Sequence, residues 1–217
     1  MAQSKAGHWL DRYANNYHAW KKDKLNGKTV YKRRLGFVES SFDIDGTDFG
    51  GRADMNALFT LEIRHKLSKE EIRRRITLAW ASLRLQHVML QSRMIENKTT
   101  GERNFAIEIE DSAGDILEET SKSIVWVDDL YDSVDGIELY RHCQNVARII
   151  APSQCLSRMH VLPLRPLLNG NFELQFLIIM AHQISDGLTA YNTFSHFLRI
   201  LNTPAPDIEK EIDLFRT

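Results

Sequence analysis

The chain has 217 residues, 43% of them hydrophobic and 26% charged, the balance of a soluble globular protein able to bury a large core. Its formal net charge of −1 supplies no field that would draw it to nucleic acid or an anionic membrane. Two cysteines, Cys143 and Cys155, exclude a disulfide framework and point to a reducing, cytoplasmic setting.

The opening segment, "MAQSKAGHWLDRYANNYHAWKKDK", lacks the apolar core of a signal peptide, and the longest apolar run, "LIIMA", is too short to span a bilayer. Trp9, Tyr13, Tyr17 and Trp20 recur at helical spacing and predict a first helix over 6–24, closed by a turn at Asn26-Gly27. "VYKRRLGFVESSFDI" alternates in part around Leu35, Phe37 and Val38 and reads as extended. "GTDFGGR" is a glycine-rich turn; no Lys-Ser/Thr follows its glycines, so it is not a phosphate-cradling loop. "MNALFTLEI" (55–63) has the composition of a strand.

Ser68 and Glu71 form a capping-box signature, and Ile72, Ile76, Trp80 and Leu83 then fall on one face of a helix. Arg73, Arg74, Arg75 and Arg84 sit on its other faces and read as solvated charge. "FAIEIEDSAGDIL" reads as a hairpin around Ala113-Gly114, and "SIVWV" (123–127) as a short strand. A helix over 134–150, with Ile137, Tyr140, Ala147 and Ile150 inward, ends before Pro152. "CLSRMHVLPL" and "FELQFLIIMA" are strand-like. The second is apolar nearly throughout from Phe176, as a central strand covered on both faces would be. A helix over 187–201 carries Leu188, Tyr191, Phe194, Phe197, Leu198 and Leu201 inward, and a polar helix over 207–216 closes the chain. The order predicts an α/β architecture, an α+β two-layer sandwich in which long helices pack on one mixed β-sheet. Regular βα alternation and a dinucleotide fingerprint are both absent.

The chemistry concentrates in "LIIMAHQISDGLTAY", where an apolar strand meets a helix through His182, Asp186 and Gly187. A histidine presented by a rigid strand can take a proton from a hydroxyl or amine near neutral pH. The deprotonated acceptor can then attack a thioester directly, with no protein nucleophile, if both substrates are held together. Asp186 is placed to cap the following helix, and Gly187 to let the backbone turn sharply. Three fixed positions arise by chance in roughly a few per cent of chains, so the strand–loop–helix setting carries the reading.

The other side chains offer less. None of His8, His18, His65, His87, His142, His160 and His196 forms a metal-ligand spacing, so no metal is expected. His142-Cys143 reads as helix packing, and His160 as a core residue or a pocket wall if its strand neighbours that of His182. Ser157 and Ser185 lack a nucleophile elbow. The basic stretch 21–34 has no nucleic-acid motif beside it and reads as a solvated face, with a contact to a phosphate group as the weaker alternative.

"AHQISDG" after an apolar strand resembles the signature loop of the chloramphenicol-acetyltransferase-like superfamily of CoA-dependent acyltransferases, which includes BAHD-type alcohol acyltransferases and nonribosomal-peptide condensation domains. "ITLAWASLRLQHVMLQSRM" resembles the family's early helix with its Leu-x-x-x-His pattern, "CLSRMHVLPL" fits the family order, and "RADMNALFTLEI" is similar to fungal acetyltransferase-like proteins. The resemblance makes residues 1–217 a single lobe, the N-terminal half of a two-lobed enzyme. It implies an acyl-CoA co-substrate, no tightly bound cofactor, a small alcohol or amine acceptor, and His182 as general base. It also implies that Asp186 shapes the loop through an arginine, that Gly187 keeps room at the reacting groups, and that a C-terminal lobe or a homo-oligomer completes the tunnel. Chloramphenicol acetyltransferases complete theirs by trimerising. Ala181 stands where condensation domains carry a further histidine, and Gln91 where they carry the arginine partner of the aspartate, leaving Arg93 or Arg158 as substitutes. The family's Asp-Phe-Gly-Trp-Gly motif has no counterpart after His182; "DFGG" at 48–51 is a glycine turn. Two other readings stand beside the acyltransferase: a non-catalytic binding or assembly module that keeps the fold, and a condensation-type domain. Nucleic-acid and membrane partners are not expected.

Overall fold

The computed structural model describes residues 19–145 and 148–215. A central sheet in the order β3-β9-β7-β6 carries the architecture. Strand β3 (Met55–Ile63) pairs antiparallel with β9 (Phe172–Met180) over nine residues, from Met55↔Met180 to Ile63↔Phe172. Strand β7 (Ser157–Val161) lies antiparallel on the other side of β9, and β6 (Ile124–Trp126) runs parallel to β7. A two-residue strand, β8 (Arg165–Pro166), pairs with the start of β9. A second, fully antiparallel sheet joins β1 (Lys21–Leu25), β2 (Lys28–Arg34), β5 (Arg103–Glu108) and β4 (Arg93–Glu96) in the order β1-β2-β5-β4. Two sheets therefore stand where one was expected.

Strand β9 is apolar on both faces because both are covered. Leu174, Phe176, Ile178 and Met180 join the core formed with helices α2 (Lys69–Gln86), α5 (Gly187–Leu201) and α6 (Ala205–Leu214). Leu177, Ile179 and Ala181 point the other way, into a core shared with Phe105 and Met94 of the second sheet and Cys143 of α4 (Gly136–Asn145). The period-2 alternation of a strand divides one run between two cores.

Helix α2 starts as its capping box dictates: Ser68 Oγ accepts from the Glu71 N–H at 3.2 Å, and the Ser68 N–H donates to Glu71 Oε2 at 2.7 Å. Ile72, Ile76, Trp80 and Leu83 are all buried, and Trp80 Nε1 donates to Ser123 Oγ at 2.9 Å. Arg73 pairs with Asp128 and Asp129 and is half-buried, Arg74 pairs with Glu209 at the surface, and Arg75 donates to the Leu201 and Thr203 carbonyls. Arg84 departs from its expected solvated place and is buried.

Four expectations are corrected. Residues 21–24 belong to β1, in a hairpin turned at Asn26 and Gly27 with φ of 51° and 85°, the left-handed pair a two-residue loop requires. Residues 9, 13 and 17 of the expected helix lie outside the described residues. Phe37 and Val38 open helix α1 (Phe37–Asp48) instead of extending a strand; the free Gly36 N–H donates to Glu39 Oε2 at 2.6 Å, and Glu39 pairs with Arg33. The hairpin expected at Ala113-Gly114 is helix α3 (Ala113–Ser121), because Ser112 accepts from the Asp115 N–H at 3.0 Å and caps it. The inward faces of α4 and α5 are also rotated: Ile137, Leu188 and Tyr191 are exposed, whereas Cys143, Ala190, Thr193 and Ile200 are buried. Ala147 lies outside the described residues. Among the described residues no helix is long and apolar enough to cross a membrane.

Candidate functional site

Strand β9 ends at Met180, and a tight turn carries the chain to α5. The Ala181 N–H donates to the Leu156 carbonyl at 2.9 Å, and the Ile184 N–H to the Ala181 carbonyl at 3.0 Å, so the backbone on either side of His182 is fixed. Asp186 closes the loop: its carboxylate accepts from the Thr189 N–H at 2.7 Å and caps α5. That bond holds the exposed carboxyl below its ordinary pKa. Gly187 does not adopt a left-handed conformation, and a Cβ there would meet only Met55 Cε at 3.9 Å, an ordinary contact. The sharp turn expected of it therefore does not demand glycine.

His182 is half-buried at the mouth of this loop. Its Nδ1 lies 2.7 Å from the Ser185 carbonyl oxygen. A carbonyl oxygen only accepts, so the ring bonds there through Nδ1–H. The tautomer this selects leaves the lone pair on Nε2. One face of the imidazole stacks on Phe42 of α1, with centroids 3.7 Å apart and planes 24° apart. The hydrogen bond and the stack fix the ring in both rotation and tilt.

Helix α1 reaches the loop through buried polar groups. Asp43 is fully buried; it accepts from Gln183 Nε2 at 3.0 Å and pairs with Arg103 of β5 at 2.7 Å. Burial pushes its carboxyl up, against the opposing pull of Arg103 and Arg148. Asp54 immediately precedes Met55, and the Met55↔Met180 pairing sets it beside the Ala181–His182 end of β9. Arg148 grips it with two bonds, Nε to Oδ2 at 2.9 Å and Nη2 to Oδ1 at 3.0 Å. Burial raises the Asp54 carboxyl, while Arg148, and less strongly the nearby His182 backbone and ring, pull it down. Gly46 and Gly51 make room for this pair. A Cβ on Gly46 would sit 2.6 Å from Arg148 Nη2; one on Gly51 would sit 2.4 Å from Arg148 Cγ and 2.7 Å from Asp54 Oδ2. "DFGG" thus ends in a structural turn whose second glycine packs under an arginine.

The arginine–carboxylate pair at this loop is therefore Arg148 with Asp54. Among the described residues Asp186 makes no ion pair; Arg93 pairs with Glu108, and Arg158 Nε is buried without an acceptor. The sequence contained no signal for Arg148, Asp54 or Phe42 as neighbours of His182, because their proximity depends on the β3–β9 register and on α1. His160 pairs with Leu177, five residues before His182, or about 16 Å along a strand. It is a core residue, and burial lowers its pKa to about 4. Ser157 Oγ is buried and donates to the Leu90 carbonyl at 2.7 Å, and Ser185 Oγ donates to the Asp186 carbonyl at 3.2 Å. The Cys143 thiol is raised to about 11 by burial, which keeps it protonated. The basic stretch is the β1–β2 hairpin, where Lys32 pairs with Asp23, Lys28 with Glu110 and Arg33 with Glu39. Among the described residues no group of three His, Cys, Asp or Glu could hold a metal ion.

No protein-family model and no curated protein matches the chain. Among solved structures it is similar to the trichothecene 15-O-acetyltransferase TRI3 from Fusarium sporotrichioides, with a TM-score of 0.64, 13% identity, and coverage of 85% of this chain and 37% of that one. It is also similar to the tallysomycin biosynthesis protein TlmII, with a TM-score of 0.49, 13% identity, and coverage of 78% and 37%. A chloramphenicol acetyltransferase is similar at a TM-score of 0.39 and 9% identity, with coverage of 79% and 98%. At 13% identity the likeness to the TRI3 acetyltransferase is one of fold. The chain spans 37% of the length of the TRI3 acetyltransferase chain it resembles. Its helices packed on a mixed sheet, with the histidine loop at the end of the central strand, share the fold of that acetyltransferase structure.

Proposed function

We propose that this chain is an acyltransferase lobe that moves an acyl group from a CoA thioester to a hydroxyl or amine, with His182 as general base. The observation that carries the reading is the 2.7 Å contact of His182 Nδ1 with the Ser185 carbonyl, which leaves the Nε2 lone pair for substrate. Nε2 takes the acceptor's proton as the acceptor oxygen or nitrogen attacks the thioester carbonyl. The tetrahedral intermediate collapses, the C–S bond breaks, and the imidazolium returns the proton to the leaving thiolate. Proton transfer of this kind contributes on the order of 10²- to 10⁴-fold. Holding both substrates in one complex supplies the rest of the advantage. In this reading Asp186 and the Asp54–Arg148 pair position the loop and touch no reacting atom. Gly187 leaves space beside the base that substrate can use.

The residues 1–217 act as one lobe, and a second lobe or a second copy faces His182. Exposed Phe37, Val38 and Ile44 on α1 and Phe49 just past its end, with Leu188 and Tyr191 on α5, support that reading. They flank the loop and form apolar surface suited to a protein contact. The same surface favours the second reading, a non-catalytic assembly module. Ala181, buried with its N–H bonded to Leu156, leaves the condensation-type reading without its additional histidine.

The test is thiol release from acetyl-CoA across a panel of alcohols and amines by the full-length or oligomeric protein, in which the second lobe or copy is present, for the wild type and His182→Ala. Loss of release with an unchanged circular-dichroism spectrum is expected. An unchanged rate in the variant rejects His182 as base, and no release by the wild type with any acceptor favours the assembly module.

A further inference from the structure

A cavity of about 540 Å³ opens between α2, α3 and the second sheet, and His182 is not among its lining residues. That volume suits a small-molecule site. Its wall is largely apolar, with Ala81, Leu85, Val88, Ile107 and Ile116 among the lining side chains. Arg84 also lines it, only 4% exposed. Its Nε donates to the Leu90 carbonyl at 3.3 Å, no ion pair reaches it among the described residues, and its Nη groups are not among the buried atoms left without a partner, so they stand open to the cavity. The Gln91 amide and the Thr120 hydroxyl belong to the same wall.

The other charges around the cavity are matched. Glu108 pairs with Arg93 and Lys28, Glu110 with Lys28 at 3.1 Å, and Glu119 with Lys122 at 3.0 Å. Arg84 feels Glu119 only at a distance, and burial lowers its pKa. A guanidinium with little water around it gains by pairing, and it presents a fork that a carboxylate fits with two bonds. The unmatched charge is a single one, and the carboxylates at the rim oppose further negative charge. A phosphate dianion or a polyanion therefore fits poorly, whereas a carboxylate on an apolar body satisfies both the cation and the walls.

We infer that this cavity is a binding site for an amphipathic monocarboxylate, its carboxylate on Arg84 and its hydrocarbon body along the α2–α3 wall. The experiment is calorimetric titration of the full chain with octanoate, octanol and inorganic phosphate, with Arg84→Met and Val88→Trp beside the wild type. Val88 lies half-exposed at the cavity and Trp there narrows it without touching the core. Octanoate is expected to bind the wild type about tenfold or more tightly than octanol or phosphate. Arg84→Met is expected to lose that preference while the ligand-free protein melts at the same or a higher temperature, and Val88→Trp to weaken octanoate with the fold intact. No octanoate binding by the wild type, equal binding of octanol, or tighter binding of phosphate overturns the inference. Unchanged octanoate affinity in Arg84→Met does so as well. Should Arg84→Met fail to fold, unchanged affinity in Val88→Trp is decisive against it.

Discussion

Replacing Arg148 with Met keeps the length of the side chain and removes its charge. Asp54 then stays where the β3–β9 register holds it, beside the His182 backbone, with no cation. The side chains of the pair are 4% and 10% exposed, so the charges have little water to fall back on. Removing one partner of such a pair costs about 3–5 kcal/mol, a large share of the roughly 5–15 kcal/mol that holds a domain together. The sign with pH follows from Asp54. Burial already raises its carboxyl above the ordinary 3.8, and loss of Arg148 raises it further. In the unfolded chain the group ionises freely, so the folded variant is penalised increasingly as pH climbs above that value. Urea unfolding should show a deficit that is larger near about pH 8 than near about pH 5. The double variant Asp54→Leu/Arg148→Met should recover much of the loss, since it leaves no buried charge behind. A deficit under about 1 kcal/mol that is equal at both pH values would refute the claim that this pair is a buried support of the loop.

The Gly51→Ala variant meets the same pair from below: at φ +74° the new Cβ would press on Arg148 Cγ and Asp54 Oδ2. A loss of at least about 1–2 kcal/mol from the left-handed backbone alone is expected in urea unfolding, and a neutral result would contradict the packing. His160 sets an acid limit on stability. Its pKa falls from 6.5 to about 4 on folding, so the unfolded chain binds the extra proton between those values. Stability contributed above pH 6.5 is lost as pH falls toward 4, by on the order of 3 kcal/mol in all. Urea midpoints measured across that window should fall for the wild type and fall less for His160→Gln; equal slopes would show that His160 titrates normally.

Elements with their own local signal were legible in the sequence. Ser68 and Glu71 announced α2, nine apolar-rich residues announced β9, and Asn26-Gly27 marked a turn that the structure keeps. The errors fell where tertiary context outweighed local pattern. Phe37 and Val38 look like strand residues but are exposed on a helix, and Ser112 nucleates a helix where Ala113-Gly114 suggested a hairpin. The histidine loop could be named because strand, loop and helix are contiguous. Its surroundings could not: Phe42, Asp54 and Arg148 come from three separate segments and meet through packing and strand register. Arg84 looked like surface charge because a helix wheel does not show that α3 packs beside that face of α2 and that the second sheet stands across a cavity from it.

The account depends most on which nitrogen of His182 carries the lone pair. Nitrogen-15 spectra of the imidazole in the full chain, recorded at a pH above the ordinary imidazole range, read that directly. The account predicts Nδ1 protonated and bonded to the Ser185 carbonyl, with Nε2 the unprotonated, pyridine-type nitrogen. The opposite tautomer, with Nε2 protonated and the Nδ1 lone pair turned toward that carbonyl, would contradict it and remove the base from the proposed reaction.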